Sequence, residues 1–157
     1  MDVTSDLKAR LGKDWIPAIY ADKVRSQRTR SYSPDVPEKE NAAEIFYTLL
    51  GIELKVGNKR FACPDLATAR YLRTFARIGC REFAIPYDVS RISVIADELE
   101  TAWQRLLLLI ELRAKGTTAQ ARGRLRSTVL RSLRKELADI GAGEMMPSFK
   151  QSTKQRS

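Results

Sequence analysis

The stretch that most constrains the fold runs from Asp88 to Lys115, DVSRISVIADELETAWQRLLLLIELRAK. Its apolar residues Ile92, Ile95, Leu99, Trp103, Leu106 and Ile110 recur at intervals of three and four, the spacing of one helical face. Asp88 or Ser90 offers a short side-chain oxygen to an orphan backbone N–H at the start. Gly116 offers a stop, because a left-handed residue costs glycine nothing. At about 1.5 Å per residue the helix is roughly 40 Å long. Asp97, Glu98 and Glu100 face away from the apolar row, but from Leu106 to Ile110 the run LLLLI circles the helix. Leu108 and Leu112, four apart, form a second row that one core cannot cover. The segment is therefore the central helix of a domain or a subunit contact. A homodimer that pairs Leu108 and Leu112 about a two-fold axis is the expected oligomer, unless the C-terminal helix or the Trp15–Tyr20 segment covers them.

Charge is the next constraint. The chain carries 28 Lys plus Arg against 19 Asp plus Glu, a formal +9. Such a surplus favours polyanionic partners: nucleic acid first, an acidic protein second, an anionic membrane surface third. Histidine is absent, which removes Ser–His and Cys–His catalysis, His-ligated zinc and a histidine pH switch. Cys63 and Cys80 sit among apolar neighbours and read as buried thiols rather than a disulfide or a metal knuckle. No cofactor or metal is expected. No apolar run approaches the ~18 residues of a membrane span, and MDVTSDLKAR is unlike a signal peptide, so a cytoplasmic location is expected.

Along the chain, TSDLKARLG (4–12) predicts a short helix with Leu7 and Leu11 on one face, and Trp15, Ile16, Ile19 and Tyr20 cluster around Pro17. Between Lys23 and Pro37 the apolar pattern stops and Lys23, Arg25, Arg28 and Arg30 precede the first acid, Asp35. That segment reads as a mobile basic arm or tether. EKENAAEIFYTLLG (38–51) predicts a helix ending at Gly51, and Ile52–Val56, Gly57-Asn58 and the strand to Cys63 predict a hairpin. Asp65 caps a helix through Ile78 with Gly79 as its stop, and Arg70, Arg73 and Arg77 share one face of it. CREFAIP predicts a third strand, which the intervening helix allows to run parallel to the second. After Gly116, Leu125, Val129, Leu133, Leu137 and Ile140 stripe a last helix.

The expected fold is thus α+β and helix-rich: a small three-stranded sheet covered by helices, with a long central helix and a basic C-terminal helix. Residues 1–37 form a short helix and basic mobile arm, 38–143 the core domain, and 144–157 a polar basic tail.

The chemistry is carried by the block from Arg113 to Lys135, which contains Arg113, Lys115, Arg122, Arg124, Arg126, Arg131, Arg134 and Lys135 and no acid. Arg124, Arg131 and Lys135 fall opposite the leucine stripe, where guanidinium forks can meet phosphate oxygens. Arg122 and Arg126 point into the leucine sector, so that turn either projects past the core or pairs with carboxylates. With Arg25, Arg28 and Arg30 of the arm, these residues predict a non-catalytic, nucleic-acid-binding regulatory or architectural protein. The alternative is a subunit that docks its basic helix on an acidic partner. In outline, the long helix, the tight turn at Lys115–Thr117 and the basic helix resemble a helix-turn-helix with an unusually long first helix. A remoter alternative is an Mg²⁺-dependent nuclease. Glu53 and Lys55, two apart on a strand, point the same way as such a site needs, but a second carboxylate must join them.

Overall fold

A computed structural model describes residues 2–143; the tail expected over 144–157 lies outside the described residues. The fold is α+β and helix-rich. Helix α1 (Val3–Leu11) is capped by Asp2. A short α2 (Ile16–Ile19) carries Pro17 in its first turn and continues into a wider turn, Tyr20–Val24. Strands β1 (Thr29–Tyr32), β2 (Ala43–Thr48), β3 (Gly51–Val56) and β4 (Lys59–Cys63) follow, then α3 (Leu66–Ile78), β5 (Phe83–Pro86), α4 (Val89–Arg113) and α5 (Ala119–Ile140).

α4 is central. Its row Ile92, Ile95, Leu99, Trp103, Leu106 and Ile110 is buried throughout, and it touches α1, α2, α3, α5 and β5. Asp88 caps it by accepting the Ser90 N–H, and the adjoining helices open the same way, Asp65 accepting from Thr68 and Thr118 from Ala121. α3 lies between α4 and an antiparallel sheet in the order β2-β3-β4, while α1, α2 and α5 pack on other sides of α4. The aromatic centre is Phe75 stacked on Phe83 at 4.4 Å, with Tyr71 and Tyr20 beside them. Cys63 and Cys80 are buried free thiols, and burial pushes the Cys80 thiol up to about 12.

Three expectations are corrected. Residues 38–51 are not a helix: Ala43–Thr48 form β2, and Gly51 opens β3 instead of closing a helix. Ile45 and Leu49 share a helical spacing, but the run IFYT is β-branched and aromatic, and pairing sets Ile45 opposite Leu54 on the inner face. The three-stranded sheet is therefore β2-β3-β4, and CREFAIP is not part of it. β5 pairs antiparallel with β1 instead, Thr29 opposite Pro86 and Tyr32 opposite Phe83. That pairing also corrects the tether. The 23–37 segment contributes a strand, and Thr29 and Val36 are buried. Leu7, Leu11, Trp15, Ile16, Ile19, Tyr20 and Val24 belong to the same core cluster as α4.

Candidate nucleic-acid interface

The eleven candidate cations divide by what they touch. Four are tied to acids of the same chain. Arg113 bridges Asp6 at 2.8 Å, Arg122 bridges Glu111 at 3.2 Å, and Lys135 meets Asp139 one turn along α5 at 3.2 Å. Arg126 forks onto both oxygens of Glu40, its Nε at 2.7 Å, and that hydrogen bond raises the guanidinium's pKa. Arg122 and Arg126 thus follow the pairing alternative, with carboxylates at the surface rather than in the core.

Two cations serve backbone groups. Arg134 donates to the Ile78 carbonyl at 2.7 Å, so it closes the C-terminal end of α3. Arg25 donates to Thr29 Oγ1 at 3.1 Å and to the Gly143 carbonyl at 2.6 Å, so it joins the first strand to the end of α5. Arg28 lies over the Tyr87 ring, 4.6 Å from its centroid.

Lys115, Arg124, Arg131 and Arg30 are exposed and have no acidic partner among the described residues. Three of them lie on or just before α5. Arg124 and Arg131 are seven residues apart, two helical turns, and so share one face with Ser127 and Thr128 between them. Arg124 also borders a cleft of about 670 Å³ between α5 and the first turn of α1, which Lys8, Thr128, Ser132 and Glu136 line as well. Arg30 stands apart on β1. The arm and helix cations do not form one patch: Arg25 sits at the C-terminal end of α5, whereas Lys115 and Arg124 are at its N-terminal end.

Two acids of α4, Asp97 and Glu100, are taken by arginines of α3. Arg70 donates to Glu100 from Nε at 3.0 Å and from Nη2 at 2.7 Å and also bridges Asp97, while Arg73 reaches Glu100 at 2.8 Å. The three-and-four spacing of Arg70, Arg73 and Arg77 was visible in the chain, and the partner face was not. The third member, Arg77, is half-buried; burial and then the neighbouring Arg73 lower its pKa. It donates to the Ala43 carbonyl at 3.3 Å and borders a cavity of about 510 Å³ with Trp103, Gln104 and Leu107.

Glu53 and Lys55 lie on the outer face of β3, where Arg60 bridges Glu53 at 3.0 Å and covers the Phe46 ring. Among the described residues, no group of three His, Cys, Asp or Glu side chains is placed to hold a metal ion. No described helix is long and apolar enough to cross a membrane. Leu108 and Leu112 are 60% and 58% exposed, so neither α5 nor the Trp15–Tyr20 segment covers them. Comparison with protein-family models, with curated proteins and with solved structures gives no match.

Proposed function

We propose that this chain is a non-catalytic nucleic-acid-binding protein, regulatory or architectural, that contacts phosphates along the outer face of α5. The observation that carries this reading is the pair Arg124 and Arg131, exposed on one face, with no carboxylate of the described chain competing for either. Two turns set them about 10 Å apart along the axis. A guanidinium free of local acids keeps its fork for phosphate oxygens, and Ser127 and Thr128 add hydroxyl donors between the two. Lys115 extends the cationic surface past the start of α5, and the +9 charge of the whole chain draws a polyanion toward it. The other cations of the block hold α5 in place: Arg126 on Glu40, Arg134 on Ile78 and Arg122 on Glu111.

Binding of duplex and single-stranded nucleic acid, followed over a range of salt, tests the reading. The log–log slope falls by about −0.9 per neutralised phosphate, so Arg124→Ala with Arg131→Ala flattens it by roughly 1.8. An unchanged slope removes α5 from the interface. Binding to an acidic protein without binding to DNA or RNA replaces this reading with the docking one. Mg²⁺-dependent cleavage that Glu53→Ala abolishes replaces it with the nuclease one.

A further inference from the structure

Strand β2 lies at the edge of its sheet, paired with β3 on one side only. The antiparallel ladder alternates, and two features fix its phase. Leu49 and Leu50 form a two-residue turn, so Thr48 and Gly51 are its closing pair. At the other end the Gly57 N–H reaches the Ala42 carbonyl at 3.2 Å. Ala42, Glu44, Phe46 and Thr48 therefore point their backbone groups at β3, and Ala43, Ile45 and Tyr47 point theirs away. The Ala43 carbonyl accepts from the Arg77 guanidinium at 3.3 Å, which agrees with this phase. Among the described residues, nothing outside the sheet bonds to the backbone of Ile45 or Tyr47. Tyr47, 72% exposed, leaves the far end of this edge open.

A cation stands at the near end of that edge. Arg77 of α3 is half-buried on a cavity of about 510 Å³ that Ala42 and Ala43 also border. No carboxylate of the described residues lies within 4 Å of its guanidinium, since Glu100 takes Arg70 and Arg73 instead. The other charges on the cavity are turned elsewhere: Arg126 forks onto Glu40, and Glu44 stands opposite Lys55 across the ladder. Burial and the neighbouring Arg73 both work against the Arg77 charge, and an anion at this point offsets both. Direction joins the edge to the cation. A strand added antiparallel to β2 runs from Tyr47 toward Ala43, so its C-terminal end arrives at Arg77. Charge then separates the possible occupants. A second copy pairing β2 with β2 brings its Thr48–Leu50 turn there, which has no acid. Residues 144–157 carry one acid, Glu144, against Lys150, Lys154 and Arg156. A free C-terminal carboxylate supplies the missing anion, and Trp103 and Leu107 give the cavity an apolar wall.

We propose that β2 takes the extended C-terminal peptide of a partner protein as an antiparallel added strand, with the peptide's terminal carboxylate on the Arg77 guanidinium. Ile45 and Tyr47 each exchange two backbone hydrogen bonds with the peptide, and the Ala43 N–H joins Arg77 in donating to the carboxylate. Side chains at the last, third-last and fifth-last positions lie beside Ala43, Ile45 and Tyr47, so apolar residues suit those places. The contact uses neither Arg124 nor Arg131 and stands independently of the nucleic-acid reading.

Two sets of synthetic hexapeptides test it on the full chain. Both carry Val, Leu or Phe at the last, third-last and fifth-last positions; one set has free C-termini and the other is amidated. Fluorescence anisotropy shows members of the free set binding at least about tenfold tighter than their amidated twins, the worth of a hydrogen bond to a charged group. Arg77→Gln brings that ratio close to one. Tyr47→Pro removes an outward N–H, leaves the pairing with β3 in place and weakens both forms. Peptide binding to the wild type also shifts the Ile45 and Tyr47 amide signals in NMR spectra, a readout that stands if either variant does not fold. No binding by any free peptide up to millimolar concentration overturns the proposal. So does a ratio that Arg77→Gln leaves unchanged, or binding that leaves those two amides unmoved. Dimerisation that shifts the same amides without peptide overturns it in favour of a second copy. Arg77-dependent binding of an oligonucleotide in place of the peptides overturns it too and adds the cavity to the nucleic-acid surface.

Discussion

The Tyr20 hydroxyl accepts the backbone N–H of Ala84 at 2.8 Å and donates to the Gly141 carbonyl at 2.7 Å. One oxygen thereby closes the free side of β5, whose other side is taken by β1, and ties it to the end of α5. The neighbouring Tyr71 hydroxyl donates to the Ala84 carbonyl at 2.7 Å, so Ala84 has both backbone groups met by tyrosines. Burial raises the pKa of both phenols, and each stays protonated as a donor at neutral pH.

Tyr20→Phe keeps the ring against Phe75 and removes that oxygen. The Ala84 N–H and the Gly141 carbonyl lose their partner, and an unmet buried polar group costs about 1–3 kcal/mol. Urea unfolding shows the loss as a lower midpoint with an unchanged slope. A midpoint equal to the wild type's would mean that water replaces the hydroxyl without cost.

Gly79 ends α3 at φ 93°, and a Cβ there would stand 2.6 Å from the backbone nitrogen of Lys39. The 38–41 segment crosses the end of α3 at this point, anchored by Asn41 donating to the Ala76 carbonyl at 3.1 Å. Gly79→Ala destabilises by about 2–4 kcal/mol through clash and backbone strain. Gly123 lies within α5 with nothing near its missing Cβ, so Gly123→Ala stabilises by about 0.5–1 kcal/mol. Thermal unfolding of the two variants shows shifts of opposite sign.

Glu100 carries a pH dependence. Hydrogen bonds from Arg70, and then from Arg73, hold its carboxyl below the ordinary 4.5. A carboxylate with a lowered folded pKa adds stability that is fully present above its unfolded value. That stability is lost as pH falls through the folded one. The wild type is therefore more stable than Glu100→Gln at neutral pH, and the gap narrows from about pH 4.5 downward. Denaturation midpoints measured across that range check it. A gap that holds constant with pH would mean the two arginines do not distinguish the charged form.

Local signals were legible in the chain, and pairings across distance were not. Asp65, Asp88 and Gly79 act where their side chains and backbone freedom placed them, and the α4 apolar row is buried to its last member. β2 was misplaced because Ile45 and Leu49 mimic a helical step, and Leu49 turned out to be a turn residue. The arginine block was legible as a charge run. Which of its members remain available was not, because Glu40 is 86 residues from Arg126 and Asp6 is 107 from Arg113. No periodicity reports a partner that far away. The exposure of Leu49 and Leu50 had no signal of its own in the chain, where both fall within the expected 38–51 helix.

The bonds that fasten the first 25 residues have a consequence for the order of assembly. Lys8 and Trp15 both reach Glu136, Tyr20 reaches Gly141 and Arg25 reaches Gly143, across separations of 118 to 128 residues. At a synthesis rate of about 5–20 residues per second, the start of the chain waits on the order of ten seconds for these partners to be made. Until then Trp15, Ile16, Ile19 and Tyr20, all buried in the finished protein, have α4 to rest on at best and no last helix to lock them down. The opening segment is therefore among the last to be secured.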